Sequence, residues 1–163
     1  MIATTSRKAS RRTVSLAKEL NNSIPSARYV ARGKRSIEQL GESVLQHGKK
    51  FLLIVIEEYG NPSEIRIIKV HEKQWNYFAS IKISLQKLRK ESSKFKSRIE
   101  SLNISVESPQ LKKLIEELGI HSSKSSHFAL SEKNNVIDFL KEDKSIGPKI
   151  KVKEIVFNDF NSK

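Results

Sequence analysis

A chain of 163 residues, 37% hydrophobic with 6 Gly and 4 Pro, suits one domain around a shared core and is too apolar for a disordered tail. Its longest apolar run, Phe51 to Ile56, is too short for a transmembrane helix, and MIATTSRKASRR lacks the apolar stretch of a secretory signal. With no cysteine, disulfides, thiolate nucleophiles and Cys-type zinc sites are excluded, a composition that fits a reducing cytoplasm; a net charge of +13 points to a polyanionic partner.

In chain order, Met1 to Ser6 reads as a short strand with Ile2 and Thr4 alternating. Ser10 caps a helix through Val14, Ala17 and Leu20 that stops near Asn21-Asn22. A second strand covers Ala27 to Ala31. Ser36 and Gln39 have capping-box spacing, and Ile37, Leu40, Val44 and Leu45 follow at helical period until Gly48. Phe51 to Ile56 is a strand apolar on both faces, so something must cover each side. Gly60-Asn61-Pro62 predicts a turn, followed by a strand carrying Ile65, Ile67 and Val70.

The second part repeats that order. Trp75, Tyr77, Ala79, Ile81, Ile83 and Leu85 alternate along one strand, which assigns Tyr77 to the core. The spacing of Phe95, Ile99 and Leu102 predicts a polar-faced helix, and Ile104 with Val106 a short strand. Ser108-Pro109 opens a helix with Leu111, Leu114, Ile115 and Leu118 on one face, closed by Gly119. Phe128 to Leu130, Val136 to Leu140 and Ile150 to Phe157 are closing strands, the middle one also readable as one or two helical turns. The expected fold is therefore α/β with two β-α-β-α-β-β halves, 1–73 and 74–163.

The charge is concentrated. Residues 1–35 hold nine basic side chains and one acidic, and residues 82–98 hold seven and one, while the stretches 36–81 and 99–163 are net −1 and neutral. Two blocks of this kind resemble a footprint for nucleic acid more than a membrane-surface helix, since neither is a long amphipathic helix with Trp or Phe opposite. Candidate RNA contacts are Arg7, Lys8, Arg11, Arg12, Arg32, Lys34 and Arg35 in the first block. Lys87, Arg89, Lys90 and Lys94 are the candidates in the second. Both blocks fall where a half's first strand passes into its first helix, and Arg11 and Arg12 just after a helix cap oppose the macrodipole unless an anion bridges them. Tyr29, interleaved with Arg28 and Arg32, is the candidate for base stacking, and Trp75 reads either way.

Catalytic patterns fail one by one. His47, His71, His121 and His127 are scattered, so no zinc site or other metal is expected. Gly33-Lys34 lacks the rest of a phosphate loop, with Arg28 where the first glycine would stand and Arg35 in place of Ser or Thr. The pairs Glu57-Glu58, Glu116-Glu117 and Glu142-Asp143 diverge from each other along an element and read as solvated surface. No cofactor is expected.

TTSRKASRRT (Thr4 to Thr13), the following AKEL and ARYVARGKRSIEQL, the strand ending in Glu57 with its GNP turn, and IGPKIKVKEI (Ile146 to Ile155) together resemble the Brix-domain family, closest to its short archaeal members. Ala9 stands where that family commonly has proline, and Lys149 where it has arginine, which keeps charge but loses bidentate phosphate geometry. The resemblance implies a single domain over 1–163, with pseudo-two-fold halves each similar to the anticodon-binding domain of class IIa aminoacyl-tRNA synthetases. It also implies a ribosome biogenesis factor that binds precursor ribosomal RNA and helps it fold and mature without catalysis. Ribosomal proteins or other assembly factors are its further expected partners, in the cytoplasm and away from membranes. A general tRNA- or ribosome-associated module and an RNA-modifying enzyme are the alternatives.

Overall fold

The computed structural model describes residues 1–72 and 74–158. The last residues of the expected second half, 159–163, lie outside the described residues. The chain order is β1 (Ile2–Thr5), α1 (Arg11–Ser23), β2 (Arg28–Tyr29), α2 (Ile37–Gln46), β3 (Phe51–Glu58), β4 (Asn61–His71) and β5 (Gln74–Lys87). It continues with α3 (Arg89–Ser92), β6 (Asn103–Val106), α4 (Pro109–Glu117), β7 (Phe128–Lys133), β8 (Val136–Lys141), β9 (Lys144–Ser145) and β10 (Lys149–Phe157).

All the strands join one sheet in the order β2-β1-β3-β4-β5-β10-β8-β7-β6, with β9 on β8. The fold is mixed α/β. Pairing is parallel for β1 with β2 and β3 and for β6 with β7; every other pair is antiparallel. The start of a second run at β5 does not put the two expected first strands together. β5 follows β4 as a hairpin and pairs with β10 in the middle of the sheet, two strands away from β1's neighbour β3.

The two-sided apolar strand is β3. Its Phe51, Leu53 and Val55 pack with Leu16 and Leu20 of α1, while Leu52 and Ile54 pack with Leu40 and Val44 of α2. Helices α1 and α2 therefore cover opposite faces. Helix α4 joins α1 in the larger core through Leu111, Leu114 and Ile115, where Ile150, Val152 and Ile155 of β10 also lie.

Local sequence explains most boundaries. Ser36 and Gln39 close the capping box on α2, Ser10 and Ser108 accept from the backbone three residues on, and Gly119 ends α4's C-terminal turn at φ 69. The expected turn at Gly60-Asn61-Pro62 sits earlier, at Tyr59-Gly60. Both residues have positive φ, as in a two-residue hairpin, and Asn61 already pairs with Glu58. Asn134-Asn135 and Glu142-Asp143 reverse the chain in the same way, so the latter pair is a hairpin tip.

Two expectations fail for packing reasons. The predicted helix over Phe95 to Leu102 is absent. That stretch runs non-helically, with Ile99 and Leu102 fully buried, so the helical spacing marks the burial of an irregular segment. Tyr77 leaves the core face because of a register shift: Ile67 pairs with Ala79 but Ile68 with Tyr77, so Phe78 is the extra residue. Phe78 then packs on the larger core, and Tyr77 emerges 37% exposed on the α2 side against the edge of Trp75, 5.4 Å away.

Candidate nucleic-acid interface

The parallel strands β2, β1 and β3 direct their carboxyl ends the same way, and the chain leaves β1 for one face of the sheet and β2 for the other. Such a reversal opens a crevice between the two departing loops. The loop after β1 carries Arg7 and Lys8, both exposed, with Lys8 at φ 56; the loop after β2 carries Arg32, Lys34 and Arg35. Burial, and after it the nearby charge of Arg7, lowers the Arg32 pKa, and the buried Arg32 Nε has no hydrogen-bond partner among the described residues. Five of the expected RNA contacts thus lie on these two loops.

The start of α1 is already supplied with an anion. The Glu57 Oε2 accepts from the Ser10 N–H at 2.8 Å and from the Thr13 hydroxyl at 2.5 Å, while the Ser10 hydroxyl donates to the Gly60 carbonyl at 2.9 Å. Glu57 is therefore the carboxylate that fixes β3 to the helix cap, and not solvated surface. Glu132 does the same for α4: it is 2% exposed and accepts from the Glu107, Ser108 and Asn135 N–H groups.

From the crevice the positive surface continues along α1. Arg11 is exposed; Arg12 donates to Glu91 of α3 at 3.1 Å. Two turns further along α1, Glu19 accepts from the Arg89 N–H at 2.6 Å and the Lys90 N–H at 3.5 Å. These contacts bring the second block against the first, joining residues 70 to 79 positions apart. Lys90, Lys94 and Lys96 are exposed beside an open cleft of about 620 Å³. Lys87 is exposed at the end of β5, in register with Lys149.

Arg89 differs from its neighbours. It is only 3% exposed, and its guanidinium donates to the Gly147 and Ser97 carbonyls and the Ser23 hydroxyl. Tyr29 is half-buried against the larger core, with the Lys18 Nζ 5.5 Å above its ring. Among the described residues, no three His, Asp or Glu side chains gather as metal ligands, and no helix is long and apolar enough to cross a membrane.

Sequence reasoning missed Glu57, Glu91 and Glu19 as organisers of this surface. Their contacts with Thr13, Arg12 and Arg89 span 44 to 79 residues, so no local pattern exposes those links. Glu57 is held below the usual carboxylate range chiefly by the Thr13 hydroxyl, and Glu91 chiefly by the Leu88 N–H; Glu19 is pushed up by burial. A carboxylate whose folded pKa is depressed stabilises the fold above its unfolded value, 4.5 here, and that stabilisation is lost as pH falls through the folded pKa. Glu19 acts in the opposite sense. Urea midpoints between pH 3 and 7 should therefore fall on the acid side, and Glu57→Gln should make that fall shallower. An unchanged acid limb in this variant would remove Glu57 from the account.

Comparisons with known proteins follow this geometry. No family model matches the chain. A probable Brix domain-containing ribosomal biogenesis protein of Pyrococcus horikoshii is 36% identical over 91 residues, 56% of this chain and 41% of that protein. A protein of the same description from Pyrobaculum aerophilum is 34% identical over 98 residues, 60% of this chain and 54% of that one. The chain thus spans about half the length of the curated relatives it matches. The crystal structure of a probable ribosomal biogenesis protein from Aeropyrum pernix superposes with a TM-score of 0.73 at 21% identity, over 93% of both chains. That of Mil, an archaeal Imp4-like protein, gives 0.71 at 20% identity, over 97% of this chain and 100% of that one. The likeness to archaeal Brix domain-containing proteins is one of sequence in part of the chain, and the likeness to these two solved structures is one of fold in nearly all of it.

Proposed function

We propose that this relative of archaeal Brix-domain ribosomal biogenesis proteins binds precursor ribosomal RNA in the cytoplasm and assists its folding, its processing and subunit assembly, without catalysis of its own. The observation that carries the reading is the joining of two distant basic blocks into one positive surface along α1, through Arg12–Glu91 and the Glu19 contacts. Phosphate contacts of this kind position an RNA without selecting its sequence. Arg7, Lys8, Arg11, Arg32, Lys34 and Arg35 supply one part of the surface, and Lys87, Lys90 and Lys94 the other. Arg12 is half-occupied by Glu91, and Arg89 acts from within by fixing α3. Ribosomal proteins or other assembly factors complete the partner set.

The domain is read as two related halves. On either side of the antiparallel β5–β10 pair, the order β1-β3-β4-β5 has the same parallel, antiparallel, antiparallel sequence of pairings as β6-β7-β8-β10. In each half a serine-capped helix follows the first strand and its cap N–H is held by a glutamate on the next strand: Ser10 by Glu57, Ser108 by Glu132. These features support a pseudo-two-fold axis between β5 and β10, with halves similar to anticodon-binding domains. In this proposal the halves meet near residue 100 in place of the expected 73/74. The loop Ser6 to Ala9, with Arg7 and Lys8, then has only Glu107 as its counterpart, which makes the first basic loop an addition specific to one half.

Crosslinking in cells of the native host, followed by sequencing of the bound RNA, tests the reading. Precursor ribosomal RNA should dominate the reads. A predominance of tRNA would favour the general anticodon-binding-like module, and a failure to recover any RNA would end the proposal.

A further inference from the structure

We infer that the cleft between α1 and α3 is a pocket for one unpaired nucleotide, with the base laid on Phe95 and its phosphates held by Lys90, Lys94 and Lys96; this rests on the RNA-binding reading above. The cleft, about 620 Å³, falls in the size range of small-ligand sites. Phe95 lies on the non-helical stretch that follows α3, its ring at 5.2 Å from Phe128, with the Arg89 guanidinium at 5.3 Å and the Lys141 Nζ at 5.5 Å from its centre, and its own N–H donates to the Ser93 hydroxyl. The half-buried ring lines the cleft among these cations, and any base offers it a π-face.

The charge around the ring is unbalanced. Arg89 is buried, and the hydrogen bonds of its guanidinium go to neutral oxygens. The carboxylate of Glu19, which lines the same cleft, is engaged by the backbone N–H groups of Arg89 and Lys90. Lys90, Lys94 and Lys96 stand exposed at the rim, where a lysine serves phosphate as a mobile point charge. A ring beside three rim cations matches a nucleotide, apolar on its base and anionic on its phosphates. Paired bases cannot reach such a ring, so the site selects single strands.

Fluorescence anisotropy of the full chain with a labelled 12-nucleotide oligouridine, and with a duplex of the same length, tests this. Phe95→Leu should weaken single-strand binding about tenfold and Phe95→Trp should restore it. The duplex affinity should not move, and the salt dependence should be unchanged because the ring carries no charge. Leucine binding the single strand as tightly as the native residue, at an unchanged melting midpoint, overturns the pocket. If Phe95→Leu fails to fold, photocrosslinking of 4-thiouridine RNA to the unaltered protein decides instead: the adduct should map to the peptide containing Phe95. Adducts confined to Arg7–Arg12 would refute the pocket, as would capture of an acidic peptide with no uridine binding at the cleft. A native chain that binds no RNA at all refutes the function itself, a result distinct from loss of the pocket alone.

Discussion

Removal of residues 147–163 is expected to abolish cooperative folding. Strand β10 pairs with β5 on one side and, over a shorter stretch, with β8 on the other, at the centre of the sheet, so its loss leaves a long unpaired edge on β5 and cuts the sheet in two. It also removes Ile150, Val152 and Ile155 from the larger core. Burying such side chains contributes about 1.5–3 kcal/mol each, against a total stability of about 5–15 kcal/mol for a domain. The loss of these three alone is comparable to the whole, before the ladder is counted. The milder Ile150→Ala, at a residue 2% exposed, should cost about 2–5 kcal/mol in urea unfolding. A soluble, monomeric truncation with the parent's melting midpoint would show that β10 is not what joins the sheet.

The second large effect concerns RNA. If six to eight phosphates of a single strand are neutralised, log K should fall against log salt with a slope of roughly −4 to −6. Changing Arg7, Lys8, Arg11 and Arg12 to Ala should reduce that slope by about 3 and weaken binding on the order of 100-fold or more at low salt. Stability should change little, because Arg7, Lys8 and Arg11 are exposed and the Arg12–Glu91 pair is more than a third exposed. Tight binding with a salt slope near zero would mean that the partner is not held by its phosphates.

Much of this was legible in local chemistry. The capping signals at Ser10, Ser36 and Ser108 carry their own geometry, and a strand apolar on both faces requires the opposed helices α1 and α2 that flank β3. What the sequence concealed is non-local. Phe95, Ile99 and Leu102 have helical spacing, yet their burial comes from neighbours far along the chain; the Ser93 hydroxyl accepts from the Phe95 N–H, and the Ser97 and Ser101 carbonyls accept from Arg89 and Ser126, in place of a helix ladder. Tyr77 alternates correctly until one extra residue, Phe78, reverses the face. Arg89 looked like its basic neighbours because nothing in KLRKES distinguishes a buried guanidinium from exposed ones. The spacing of the two basic blocks suggested equivalence by symmetry; they meet instead through α1, by way of carboxylates that read as ordinary surface charge.

Length-dependent binding is the measurement that bears most directly on a single RNA surface made of both blocks. Single-stranded RNAs of 4 to 20 nucleotides would be titrated against the native chain, against Arg7/Lys8/Arg11→Ala, against Lys90/Lys94/Lys96→Ala, and against the combination. Affinity should climb with length until one strand spans both blocks and then level off at a one-to-one complex. The joint loss should differ from the sum of the separate losses, since each block raises the effective concentration of RNA at the other. Two independent sites, each binding the shortest RNA as well as the longest, with losses that simply add, would contradict a shared surface.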